Sequence, residues 1–326
     1  MYPIKNIIRS VKRTQEDNLK IITFCEAEEK YNHALSKTGH EFYLWNENIN
    51  SEWNGLVEEK PSNVFNLPAA SSNIYNSYFD LVICHNRIEQ YNLGSSISHA
   101  LHIPLIIIDH CGENIVKTSP IFANVTTEDV TKLYEHEFII NVCTHNSLIS
   151  EWPHPSKGAV AINTGVDTNK YRPLNIEKNF TIVLDNFIPE PVAQFLAPLN
   201  KYNIVSTDRE DKTELYNQGD VFINTWKHIN IKLLEAMACG TIPISIETPE
   251  IKHVIKNNET GFIAKDVEHM ITIIDKIKNN EIRNLSQISQ NARDYIVEYH
   301  NINTFVHKWE QVFQLVHNSF YSRGMQ

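Results

Sequence analysis

The sequence predicts an α/β protein built from two parallel-sheet domains. Short apolar runs rich in β-branched residues recur along the chain, longer amphipathic stretches separate several of them, and one turn-rich segment divides them into two series. The length of 326 residues suits this division, since one compact core rarely grows so large.

In chain order, the first residues place Lys5, Arg9, Lys12 and Arg13 among Ile4, Ile7, Ile8 and Val11. The plainer reading is a solvated leading helix or tail, while the same pattern could make peripheral contact with an anionic membrane or an acceptor phosphate. Strands are expected at Leu19–Phe24, Glu41–Leu44, Leu81–Cys84, Pro104–Asp109, Phe138–Val142 and Ala159–Ile162. Asn163–Pro173 then gathers Gly165, Asp167, Asn169 and Pro173, which is turn chemistry and marks a domain boundary. The second series follows at Phe180–Leu184, Asn203–Ser206, Val221–Asn224, Ile242–Ile246 and Gly261–Ala264. From Glu281 the pattern turns helical, and Phe305, Trp309, Val312, Phe313 and Val316 recur at helical spacing within Ile302–Phe320.

Composition narrows the function. A net charge of -10 argues against a protein whose main task is to neutralise a nucleic-acid backbone. Cys25, Cys84, Cys111, Cys143 and Cys239 lie far apart with no C-x-x-C pair, so they read as free thiols in a reducing compartment. With no long apolar span and no signal-like start, the expected location is the cytoplasm. No G-x-G-x-x-G fingerprint is present, which disfavours a nicotinamide enzyme. No Asp-x-Asp occurs either, so a metal-held diphosphate has no support in the sequence and no metal or cofactor is expected.

The most informative stretch is Trp226–Asp266. Within Ile231–Cys239 the apolar positions describe a buried helix, Gly240 stops it, and Glu235 falls among the apolar residues. A buried carboxylate needs hydrogen-bond donors. A sugar or ribose diol would serve, and so would a cationic side chain or a backbone amide of the protein itself. His110 ends an apolar strand, and ligands in open α/β sheets gather at the carboxyl edge. A loop histidine is the plainer reading. His85 and Asn86 close the preceding strand in the same way and are second candidates.

The segments LLEAMACGTIPIS, Pro249-Glu250-Ile251 with Val254, and NNETGFIAKD resemble, in that order, the C-terminal signature of retaining glycosyltransferase family 4. Ile162–Pro173 is similar to the family's N-G-V-D-x-x-x-F-x-P segment, and Ala34–Glu41, Asp80–His85 and His102–His110 resemble pieces of its first domain. The resemblance implies the GT-B fold: two Rossmann-like domains facing a cleft. It implies an acceptor-side domain over 1–166, a donor domain over 167–301, and a helix over 302–326 that packs back on the first domain. It assigns Glu235 to the ribose of a nucleotide diphosphate sugar, lines the donor pocket with Ile229, Asn230, Ile231 and Lys232, and places His110 beside the reacting sugar.

Several positions depart from the family pattern. In G-R-L-x-P-E-K-G, Asn186 stands for the Arg and Pro191 for the Lys, and Lys227 replaces the first of two paired glutamates. A diphosphate without those cations would lean on backbone amides and a helix N-terminus. Lys227, His228 and Lys232 could restore positive charge from another direction, the plainer reading of Lys227 being an ordinary loop lysine. The implied reaction is sugar transfer to a hydroxyl acceptor, a glycan, a lipid or a modified nucleobase, with retained anomeric configuration. Its rival is a catalytically silent relative that binds a nucleotide, a glycan or a partner. The oligomeric state is left open.

Overall fold

A computed structural model of the chain describes residues 18–24, 29–46, 53, 59–68, 74, 77–85, 88–110, 139–151, 159–176, 179–184, 194–207, 212–226 and 228–323. The chain divides into two compact units, Met1–Thr164 with Phe305–Gln326, and Gly165–Thr304.

In the first unit the described elements are β1 (Lys20–Phe24), α1 (Glu29–Ser36), β2 (Glu41–Asn46), β3 (Val64–Pro68), β4 (Leu81–His85), α2 (Ile88–Leu101), β5 (Leu105–Asp109), β6 (Ile139–Cys143), α3 (Leu148–Glu151) and β7 (Ala159–Ala161). The strands form one parallel sheet in the order β3-β2-β1-β4-β5-β6-β7. Every residue of β4 and β5 is buried, as expected of central strands whose sheet is covered on both faces. Helix α2 packs closely on β4 because Gly94 carries no side chain: a Cβ there would lie 2.0 Å from Cys84 Sγ.

The apolar pattern of the sequence marks no strand at Val64–Pro68. It forms the sheet's edge, hydrogen-bonded to β2 alone, with Val64 and Leu67 buried and Phe65 and Asn66 exposed. An edge strand tolerates Pro68, which has no N–H to give to a ladder.

The second unit contains β8 (Thr181–Leu184), a 3-10 helix (Gln194–Lys201), β9 (Asn203–Ser206), α4 (Lys212–Gln218), β10 (Val221–Asn224), α5 (Ile231–Ala238), β11 (Ile242–Ile246), α6 (Ile251–Val254), β12 (Phe262–Ala264), α7 (Val267–Lys278) and α8 (Leu285–Tyr299). Its sheet is also parallel, in the order β12-β11-β10-β8-β9. The turn-rich segment after Gly165 is held firmly. Asp167 Oδ1 accepts the N–H groups of Asn169 at 3.0 Å and Lys170 at 3.1 Å, an Asx turn. From α8, Arg293 donates to the carbonyls of Tyr171 (3.1 Å), Thr168 (3.3 Å) and Ala238. Burial pulls this guanidinium below its ordinary value, the cost of taking a cation out of water, while the carbonyls it donates to hold it in place.

The last described helix, α9 (Ile302–Arg323), starts where a parallel bridge joins Val166 to Asn301. From Phe305 onward it counts with the first unit. Phe305, Trp309, Val312, Phe313 and Val316 are all buried. The Tyr31 ring meets Phe305 at 5.4 Å and Trp309 at 6.4 Å, and His40 meets Phe313 at 5.2 Å. Among the described residues no helix is long and apolar enough to cross a membrane.

Candidate functional site

The second unit presents its polar residues where β10 runs into α5. Asn224 closes β10, fully buried, and its amide reaches in three directions. Nδ2 donates to the Trp226 carbonyl at 2.9 Å and to Ser245 Oγ at 3.0 Å, while Oδ1 accepts from Asn230 Nδ2 at 3.0 Å. Asn230 is the N-cap of α5, its Oδ1 accepting the Leu233 N–H at 2.9 Å. Two asparagines and a serine thus lock the start of α5 to the ends of β10 and β11. Ile231 follows as the first helical residue, so its amide points out of the first turn, where a helix attracts anions.

One turn further, Glu235 is 2% exposed. The Tyr216 hydroxyl, on α4, donates to Glu235 Oε2 at 3.0 Å. The protein therefore supplies at least one donor itself, a tyrosine hydroxyl rather than a cation or a backbone amide. At the far end Gly240 adopts φ +78, the left-handed conformation that ends the helix.

His228, Ile229, Asn230, Ile231 and Lys232 are half-buried along the approach to α5, and the Trp226 and His228 rings lie 5.1 Å apart. Lys227, Asn186 and Asn86 lie outside the described residues.

In the first unit, β4 and β5 are neighbours, and their register places His85 opposite Ile108. His110 follows β5 directly. His85 Nδ1 and His110 Nε2 are 2.8 Å apart, with the rings stacked at 27° and centroids 5.0 Å apart. Tyr31 sets its ring edge-on to both, 6.0 Å from His85 and 4.9 Å from His110. Thr144 Oγ1, beyond β6, reaches the His110 carbonyl at 3.5 Å. The structure thus joins the sequence-predicted His85 and His110 into one pair and adds Tyr31. A tyrosine in an amphipathic helix carries no signal of that role. Asn224 did carry one, as a polar residue closing an apolar run.

The two parallel-sheet, Rossmann-like units match the GT-B fold seen in solved glycosyltransferases. The fold matches HepE of Anabaena, crystallised with UDP and glucose, at TM-score 0.70 and 14% identity over 91% of this chain and 100% of that one. Sucrose-phosphate synthase of Thermosynechococcus elongatus matches at TM-score 0.71 and 12% identity, over 93% and 100% of the two chains. A glycosyltransferase of Rickettsia africae matches at 0.67 and 15%, over 92% and 99%. No curated protein matches by sequence. Residues 198–295, which span α4, β10, α5 and most of α8, match the family described as glycosyl transferases group 1. Residues 198–295 thus carry a domain similar to group 1 glycosyl transferases, set within a fold shared with solved glycosyltransferases.

Proposed function

We propose that the chain moves a sugar from a nucleotide diphosphate sugar to a hydroxyl acceptor with retained anomeric configuration and without a metal. The observation that carries the proposal is Glu235. It is buried on α5 inside the matched family segment, one turn beyond an asparagine-locked helix start. A carboxylate accepts hydrogen bonds from the two hydroxyls of a ribose, and the first-turn amides of α5 accept the negative charge of a diphosphate. Lys232 adds positive charge to the same approach, with His228 as a further hydrogen-bonding group, while Lys227 as a cation and Asn186 as a neutral amide are donor-binding candidates on their sequence positions. His110 stabilises the reacting group, so that catalysis consists of orientation and stabilisation of the departing diphosphate. UDP-glucose, which Anabaena HepE holds in one crystal, is the first donor to try, with UDP, held in another, as the matching nucleotide.

The test is thermal unfolding against a panel of nucleotide diphosphates and their sugars. A ligand at about a hundred times its Kd stabilises by about 2.7 kcal/mol, several degrees in a protein of this size. One base should raise Tm, Glu235→Ala should erase the shift, and the matching donor should slowly release nucleotide diphosphate. A flat panel with no release would instead mark a silent binding protein.

A further inference from the structure

His85 and His110 stand at the ends of adjacent parallel strands, and the 2.8 Å between His85 Nδ1 and His110 Nε2 leaves room for one hydrogen between them. One nitrogen donates and the other accepts, so each ring is held in the tautomer that complements its neighbour. Two imidazolium ions cannot occupy this place. Their N–H groups would point at each other, and His85 is only 1% exposed, with little water to screen the charges. The His85 backbone is pinned as well, its N–H donating to Gln90 Oε1 at 2.9 Å.

We infer that His85 is a positioning residue for His110. It engages Nε2, so that the His110 tautomer is coupled to that of His85 and the ring keeps one orientation, and it limits the pair to a single positive charge. The inference rests on the role given to His110 under Proposed function, and the pairing itself can be tested without any donor. The titratable groups on the elements around the pair include, among the described residues, the Tyr31 phenol of α1, the Asp109 carboxylate of β5 and the thiols of Cys84 in β4 and Cys143 in β6. Burial pushes both thiols up, which keeps them neutral. Asp109 Oδ2 faces Asn141 Nδ2 at 3.4 Å and Cys143 Sγ at 4.0 Å.

The experiment uses the full chain labelled with ¹⁵N in histidine, comparing wild type with His85→Leu, His85→Asn and His85→Gln across neutral pH. In wild type and in His85→Asn, whose amide reaches the place of Nδ1, the His110 nitrogens should report a tautomer ratio displaced from that of a free imidazole. In His85→Leu and His85→Gln they should report the mixture of a free imidazole. For the donor found by the unfolding panel, kcat should fall about ten- to a hundredfold in His85→Leu with KM within about twofold, and His85→Asn should recover most of the loss. Unchanged His110 signals in a folded His85→Leu would overturn the inference. Where His85→Leu does not fold, equal His110 signals in the Asn and Gln variants would do so. A wild-type chain that turns over no donor defeats the transferase reading, while the nitrogen signals still decide the pairing.

Discussion

Glu235 and Tyr216 show what a single pair of residues can settle. A carboxyl so deep in a helix demands donors, and that demand is legible in the sequence, because Glu235 sits among Leu234, Met237 and Ala238. The donor was not legible. Tyr216 lies on another helix, and only the packing of α4 beside α5 brings its hydroxyl to 3.0 Å. Removing that hydroxyl takes a hydrogen bond from a buried carboxyl, so Tyr216→Phe should lower the unfolding free energy by about 2 kcal/mol. Urea denaturation followed by circular dichroism would measure it, and an unchanged midpoint would mean that the bond contributes nothing. The histidines teach the same lesson. Each could be placed at a strand end from its own apolar run, but their bond depends on β4 and β5 being lateral neighbours, which no local pattern encodes.

At the scale of elements, strands rich in Ile, Val or Leu are legible in the sequence to within a residue or two, as at Leu105–Asp109 and Ile242–Ile246. Val64–Pro68 escaped because an edge strand buries only part of itself and tolerates Asn66 and Pro68. Contacts between elements were illegible where they join distant segments. The 3-10 helix ends at Lys201, and Lys201 with Tyr202 grips Asp275 of α7, the lysine at 2.9 Å. The Tyr202 hydrogen bond first, and Lys201 second, hold the Asp275 carboxyl below its ordinary value. A depressed carboxyl stabilises the fold above its unfolded pKa and loses that contribution as pH falls through the folded one. Wild type should therefore exceed Asp275→Asn in stability at pH 7, by less than about 1 kcal/mol because the pair is solvent-exposed. The gap should close as the carboxylate range is crossed downward. Paired denaturation curves at several pH values would show it, and a gap independent of pH would rule the account out.

For the whole molecule, the decisive feature is that the second unit is one continuous stretch while the first is made of two. Gly165–Thr304 contains every strand of its own sheet and the helices that cover it. The first unit borrows Phe305, Trp309 and Phe313 from α9, and Trp309 is fully buried. A fragment of residues 165–304 should fold cooperatively alone. A fragment of residues 1–164 should lack a sharp unfolding transition until a peptide covering residues 302–323 is added. Calorimetry of the two fragments, with and without the peptide, decides the matter. A cooperative transition in 1–164 alone would show that α9 is dispensable to that core.

This arrangement also orders events on the ribosome. Synthesis proceeds from the amino end, at about 5–20 residues per second. The strands carrying His85 and His110 are therefore made early, yet they must wait through all of Gly165–Thr304 for Trp309 and Phe313 to emerge. The unit synthesised second is the one able to finish first. A nascent chain stalled near Thr304 would hold a complete α5 with Glu235, while Tyr31 beside the histidine pair would still lack its ring partners Phe305 and Trp309.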